Sequence, residues 1–193
     1  MPTIVHEFDW PDRVVVGTVG RPGSRTFYLQ ARAGTRTSSV ALEKEQSAVL
    51  AEMIDRLLDE LTVKNDQLSI PSEAPAELLD DEPLDQPVEE DFRTGTMRLA
   101  WDPRTLQMVI EAYPVEEDPP DDDDAETADI GIGEDEAEPS EMLLVRIPVG
   151  TARAFAQRTR RVVEAGRPTC SDCGLPMDED GHECPTDDGE QAP

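Results

Sequence analysis

The residues of this chain that are best suited to chemistry lie near its C-terminal end. Cys170, Cys173, His182 and Cys184 follow the spacing C-x2-C-x8-H-x-C, and they include all three cysteines of the sequence. Structural zinc sites use four sulfur or nitrogen ligands in a tetrahedron, whereas a catalytic zinc keeps one position open for water. The four residues therefore predict one structural Zn²⁺ rather than a catalytic ion.

The same cysteines allow two other interpretations, a redox-active C-x-x-C pair and a disulfide. A redox pair is expected at the start of a helix within a strand–helix–strand unit, and the surrounding sequence shows no such unit. A disulfide would leave one of the three cysteines unpaired. Zinc is the interpretation that uses every member of the cluster.

The composition is strongly acidic and limits the choice of partners. The net charge is −27, from 44 acidic and 17 basic residues. Phosphate backbones and anionic membrane surfaces would be repelled by such a chain, so nucleic acid and membrane partners are not expected. The N-terminus lacks the features of a signal peptide, and no apolar run approaches the roughly 20 residues of a membrane span. We expect a cytoplasmic protein with reduced thiols.

One local group of basic residues departs from this acidic background. Arg153, Arg158, Arg160 and Arg161 fall on a single predicted helix just before the cysteines. Guanidinium groups suit bidentate phosphate contacts, so a phosphate-bearing ligand is one interpretation. The other, which we favour, is a solvated helix face whose arginines pair with the acidic linkers of the chain itself.

The elements that must position these residues begin with a group of three strands and a helix. Residues 13–19, 25–33 and 35–42 are rich in β-branched and apolar side chains, which favours strands. Pro22 and Gly23 occupy the central positions of a type II turn between the first two. A helix is predicted from Glu43 to about Leu61. Its apolar stripe has helical spacing and comprises Leu50, Met53, Ile54, Leu57, Leu58 and Leu61.

A second group repeats this order. Strands are predicted at 92–101, 104–113 and 141–149, followed by a helix from Ala152 to Ala165 that Thr151 would cap. Gly17-Thr18 and Gly95-Thr96 occupy corresponding places in the two groups. The order βββα therefore occurs twice, which suggests an internal duplication. The predicted fold is α+β, with an antiparallel sheet and helices on one face.

The remaining segments complete the predicted domain organisation. Residues 1–168 form the core domain, with acidic flexible segments at about 65–91 and 114–140. The first segment is acidic and contains four prolines, which predicts a linker or a loosely packed excursion. The second contains too few apolar residues to offset the entropy of ordering it. Residues 169–185 form the predicted zinc knuckle, and residues 186–193 a disordered tail.

The chain resembles an uncharacterised family of actinobacterial proteins of about this length, described as internally repeated. The resemblance implies a C-terminal zinc-finger-like motif carried by Cys170, Cys173, His182 and Cys184, and it implies no known activity. After Pro185 the chain has an acidic tail where the family pattern leads us to expect basic residues, which argues against a nucleic-acid role. The resembling segments are 11–32, 39–46, 87–102, 152–168 and the cysteine cluster.

Two functions remain open at this stage. The first, which we favour, is a non-enzymatic zinc-binding adaptor that presents the α+β core to a protein partner. The second is a metal-dependent hydrolase, or an enzyme that handles nucleotides or phosphate. His6 is the only histidine outside the cysteine cluster, and a histidine base needs an oriented partner. A cleft that joins His6 with arginines and carboxylates would favour the enzyme.

Overall fold

The structure is a computed structural model that describes residues 3–65, 68–115 and 139–166. It shows a mixed α+β fold, and the described residues form one seven-stranded sheet and two α-helices. Residues 116–138 of the predicted flexible segment at 114–140, the predicted zinc knuckle and the predicted tail at 186–193 lie outside the described residues. The elements are β1 (Ile4–Asp9), β2 (Arg13–Val19), β3 (Thr26–Ala33), β4 (Arg36–Leu42), α1 (Lys44–Lys64), β5 (Phe92–Asp102), β6 (Gln107–Pro114), β7 (Glu141–Pro148) and α2 (Val149–Glu164).

The sheet is mixed, which corrects the prediction of a purely antiparallel one. Its order is β1-β7-β6-β5-β4-β3-β2. Hairpin neighbours are antiparallel, but β4 pairs in parallel with β5 and β1 pairs in parallel with β7. A parallel pair needs a long crossover rather than a tight turn. Helix α1 and the segment after it supply the crossover between β4 and β5.

Strand β1 was not predicted, and it determines the shape of the sheet. In this strand only Phe8 is buried, so the apolar signal is weak. Residues 10–12 join β1 at one edge of the sheet to β2 at the other. This connection spans at most about 14 Å, so the sheet must curl strongly. Arg36 of the interior strand β4 contacts the edge strand β1 across this curl, because it donates to the carbonyl of Glu7 and lies 4.4 Å from the centroid of the Phe8 ring.

The two predicted groups of elements are observed in order. Strands β2 to β4 lead into α1, and strands β5 to β7 lead into α2, while β1 lies outside this pattern. Gly17 lies within β2 and Gly95 within β5. The order is that of the proposed repeat, and a common origin of the two groups stays a prediction.

The β2–β3 turn has the predicted form. The N–H of Ser24 donates to the carbonyl of Arg21 at 2.9 Å, and Gly23 has a φ of 90°. A positive φ at the third turn position defines a type II turn and favours glycine there. Local sequence alone was sufficient for this prediction.

The helices begin close to the predicted residues, with one correction. At the start of α1 the side chain of Gln46 accepts a hydrogen bond from the N–H of Glu43 at 2.8 Å. Helix α2 begins at Val149 with Pro148 as its N-cap, so Thr151 lies inside the helix and the predicted cap is wrong. Pro148 has no N–H to donate to a neighbouring strand, so it suits the end of β7.

Helix α2 occupies the centre of the molecule. Its buried residues are Ala152, Arg153, Ala154, Phe155, Ala156, Arg158 and Thr159, which surround the helix rather than forming one stripe. They include two arginines, although charged side chains are almost never fully buried unless paired. One continuous apolar core joins both helices to the inward-facing residues of the sheet. Of the apolar residues predicted on α1, Leu50, Ile54 and Leu58 belong to this core, whereas Met53 is exposed.

The acidic segment after α1 forms specific contacts, unlike the loosely packed excursion that its composition suggested. We call residues 68–91 the strap. The strap has almost no regular structure apart from the short turn Ala76–Leu78. It nevertheless runs from α2 across the outer face of β2 and β3 to β4, where the N–H of Asp91 donates to the carbonyl of Ser39 at 2.8 Å. It then enters β5.

Neither α1 nor α2 is long and apolar enough to cross a membrane, and no other helix of that kind occurs in the described parts of the chain.

Candidate functional site

His6 lies on the edge strand β1, away from the arginines of α2. Its Nε2 atom is 2.5 Å from Oε1 of Glu141, the first residue of the neighbouring strand β7. Neither groove described below includes His6. Neither of these two grooves is therefore the cleft of histidine, arginines and carboxylates that would favour an enzyme. Cys170, Cys173, His182 and Cys184 lie outside the described residues.

Arg153 joins the two helices and the strap. Only 5% of this residue is exposed, and its guanidinium contacts Asp55 and Asp59 of α1 at 2.7 Å each. It also donates to the carbonyl of Pro71 at 3.2 Å. Arg160, about two turns of helix further on, contacts the second oxygen of Asp55. The positive charges of Arg153 and Arg160 are therefore paired with the two carboxylates of α1.

Arg158 joins α2 to both the sheet and the strap. It is 6% exposed, and its Nε donates to the carbonyl of Val16 at 3.0 Å. Strand β2 is an edge strand, so this bond satisfies a backbone acceptor that has no neighbouring strand. The other guanidinium nitrogens donate to the strap, at the carbonyls of Asp80 and Glu82 and at the carboxylate of Asp80. Burial lowers the pKa of Arg158, and the nearby Asp80 charge opposes that shift.

Arg13, at the start of β2, contacts the same part of the strap as Arg158. It forms a two-pronged contact with Asp80, with N–O distances of 2.6 and 3.0 Å. The same guanidinium donates to the backbone carbonyls of Glu82 and Pro83, both at 2.9 Å. The hydrogen bond with Asp80 raises the pKa of Arg13 and lowers the pKa of the Asp80 carboxyl below its ordinary value of 3.8.

An apolar contact lies beside these ionic ones. Leu84 of the strap is 4% exposed and packs against Gly17 in the middle of β2. A Cβ atom at position 17 would lie 2.6 Å from Cγ of Leu84, so only glycine leaves room for this side chain. Asp85, the next residue, exchanges two hydrogen bonds with the buried Gln30 of β3, at 2.8 and 3.2 Å.

Two grooves border the strap, and both are polar. One, of about 580 Å³, is lined by residues that include Asp55, Asp59, Arg153 and Arg160. The other, of about 550 Å³, is lined by residues that include Arg13, Arg32, Asp80 and Asp85. In both grooves the guanidiniums contact carboxylates of the protein itself. In the first groove these carboxylates belong to α1, whereas in the second they belong to Asp80 and Asp85 of the strap. The second arrangement is suited to holding an extended acidic segment.

The predicted phosphate-binding arginines therefore have two kinds of surroundings. Arg153 and Arg158 are buried, whereas Arg160 and Arg161 are partly exposed. All four contact carboxylates, and Arg161 does so through Asp81 of the strap at 2.8 Å. The expected pairing with the acidic linkers is present for Arg158 and Arg161, whereas Arg153 and Arg160 contact carboxylates of α1. The predicted solvated helix face is wrong for the two buried residues.

Comparison with known proteins gives a family and no activity. Residues 6–184 match the family model described as "Protein of unknown function (DUF3090)". The chain belongs to the DUF3090 family. No curated protein and no solved structure matches it. The matched range includes every described strand and helix of this DUF3090 protein except the first two residues of β1, and it reaches Cys184.

Sequence reasoning missed the residues that fix the strap, namely Arg13, Gly17, Asp80 and Leu84. One signal was present, because a glycine inside a strand often marks the close approach of another chain segment. The prediction above used Gly17 only as a position that corresponds to Gly95 in the suggested repeat. Arg13 and Asp80 carried no local signal, since 67 residues separate them.

The Asp80 carboxylate should make stability depend on pH. Because its pKa is lower in the folded protein than in the unfolded chain, its contribution is present above the unfolded value and is lost as pH falls. We expect the free energy of unfolding to fall between about pH 5 and pH 3, and Asp80→Asn to make that fall shallower. Urea denaturation at several pH values measures both. Equal slopes for Asp80→Asn and the unchanged chain would contradict the assignment.

Proposed function

We propose that this chain is a non-enzymatic adaptor that binds a protein partner and carries one structural Zn²⁺ in its C-terminal segment. The observation that supports the adaptor role is the use of charged side chains within the core. Arg13, Arg153 and Arg158 contact carboxylates and backbone carbonyls of the protein itself. A catalytic arginine or carboxylate must instead be positioned to contact the reacting group.

The zinc proposal comes from ligand chemistry. Cys170, Cys173, His182 and Cys184 provide three thiolates and one imidazole, a closed set of four ligands. Such a site stabilises a short segment that has few apolar residues, because the free energy of zinc binding is then largely free energy of folding. We propose a cytoplasmic location, where thiols remain reduced.

The zinc proposal predicts one Zn²⁺ per chain in reduced, metal-replete protein. Cys173→Ser should abolish zinc binding, because it removes one of four ligands, and should leave the core folded. Elemental analysis measures the zinc, and near-ultraviolet circular dichroism reports on the core. Ser171→Ala is the matched control, because it alters a neighbouring side chain that is not a proposed ligand. A chain without zinc, or full binding by Cys173→Ser, would overturn the proposal.

Acid should release the metal, because protons compete with zinc for the thiolates and the imidazole. This release is measured separately from the acid dependence of Asp80, since a colorimetric chelator reports on zinc alone. Retention of zinc by protein in which all three cysteines are alkylated would also contradict the ligand set.

A further inference from the structure

The outer surface of β2 and β3 has the construction of a peptide-binding site. Arg13 and Arg158 converge on the strap and together donate to three of its backbone carbonyls, those of Asp80, Glu82 and Pro83. The same guanidiniums contact the Asp80 carboxylate. Backbone contacts of this type bind an extended segment whatever its side chains are, and the carboxylate contact adds sequence preference.

A second element of recognition lies four residues further along the strap. The space above Gly17 accepts one aliphatic side chain, which is that of Leu84. Between Gly17 and the arginines the surface thus selects an acidic residue and, four positions later, a leucine. Gln30 then forms its two hydrogen bonds with the backbone of the next residue, Asp85.

The electrostatics favour an acidic ligand in spite of the net negative charge of the chain. The strap supplies the carboxylates that contact Arg13, Arg32, Arg158 and Arg161. If the strap leaves this surface, four guanidiniums lose their partners. Exposed charges further away than about 8 Å are largely screened at physiological ionic strength, so these four would dominate the local field.

We propose that this surface is a binding site for an acidic, extended segment of a partner protein, and that the strap occupies it as an internal ligand. The ligand has an aspartate and, four residues later, a leucine, as in Asp80-Asp81-Glu82-Pro83-Leu84. This inference rests on the proposed adaptor role, since it names the class of partner. Because both ends of the strap are attached to the core, it competes at high effective concentration and keeps the site closed to weak ligands.

The test uses the full chain and a labelled peptide with the sequence of residues 78–87, followed by fluorescence anisotropy. Leu84→Ala combined with Asp80→Asn weakens the strap in the chain, while the peptide retains both residues. We expect the peptide to bind this double variant at least about tenfold more tightly than it binds the unchanged chain. Asp81→Asn is the matched control, because the ion pair of Asp81 with Arg161 is largely exposed and its removal should leave the strap in place.

Two further binding measurements locate the site on the protein. A scrambled peptide of identical charge should bind the double variant at least about tenfold more weakly, since it places neither the aspartate nor the leucine correctly. Gly17→Val in the same background should abolish binding, because its side chain occupies the position of Leu84. If the double variant does not unfold cooperatively, Leu84→Ala alone replaces it, since that change retains every ionic contact.

The outcomes separate this inference from the proposed function. No peptide binding by the loosened chain, or equal binding of the scrambled peptide, overturns the inference. Dimers of the unchanged chain that exchange straps, detected by light scattering and cross-linking, would assign the surface to a second copy and also overturn it. Zinc content is measured on the same samples. A chain that holds zinc but binds no peptide would contradict only the inference. A chain that binds the peptide but holds no zinc would contradict only the zinc proposal.

Discussion

Arg158→Met should lower the free energy of unfolding by about 3–5 kcal/mol, the range found when one partner of a buried ion pair is removed. Methionine fills much of the same volume but donates no hydrogen bonds. The carbonyls of Val16 and Glu82 lose the donor that Arg158 supplies. The Asp80 carboxylate loses one of its two arginine partners and keeps Arg13 and the N–H of Glu82. Domains of this kind are stable by about 5–15 kcal/mol, so the expected loss is a large fraction of the total.

Urea denaturation followed by circular dichroism measures this loss, and Arg161→Met is the matched control. Arg161 lies on the same helix and also contacts a strap carboxylate, but its side chain is 44% exposed and that of Asp81 is 72% exposed. Exposed ion pairs contribute about 0–1 kcal/mol. Similar losses for the two variants would show that Arg158 acts as a surface charge and not as a buried connection between α2, β2 and the strap.

Phe155→Ala should have an effect of comparable size, about 3–5 kcal/mol, through a different cause. Phe155 is 2% exposed and belongs to the core that joins both helices to the sheet. Removal of the ring loses its transfer free energy and leaves a cavity that a close-packed interior fills only in part. Because α2 is surrounded by other elements, the neighbouring residues have little freedom to collapse inward.

The shift in the urea midpoint measures this effect, and Val63→Ala is the control. Val63 is 87% exposed near the end of α1, so its truncation should change stability by no more than about 0.5 kcal/mol. A loss below about 1 kcal/mol for Phe155→Ala would mean that α2 is not the centre of the core.

The two large predictions concern the same helix but different kinds of contact. Phe155 stabilises α2 through apolar burial, whereas Arg158 ties the helix to an edge strand and to the strap. Loss of Phe155 should expose the core as a whole. Loss of Arg158 should act first on the strap, which hydrogen exchange at the amides of residues 79–85 would detect.

The amino-acid sequence determined the local elements, since the signals for them are local. Short runs of β-branched and apolar residues predicted strands β2 to β4, and helical spacing predicted α1. Pro22 with Gly23 predicted the turn between β2 and β3. The order of three strands and a helix, twice, followed from these elements. The α+β class followed as well, because amphipathic elements in that order can bury their apolar faces only by packing together.

Only the tertiary structure decided how distant segments meet. Strand β1 has one buried residue, Phe8, so its place beside β7 carried no periodic signal. The strap has the composition of a linker, yet Arg13 and Arg158 hold its backbone against the sheet. Local sequence indicates that an arginine is charged and predicts an exposed one. Whether it can be buried depends on a carboxylate 78 residues away in the case of Arg158 and Asp80, and only the folded chain brings the two together.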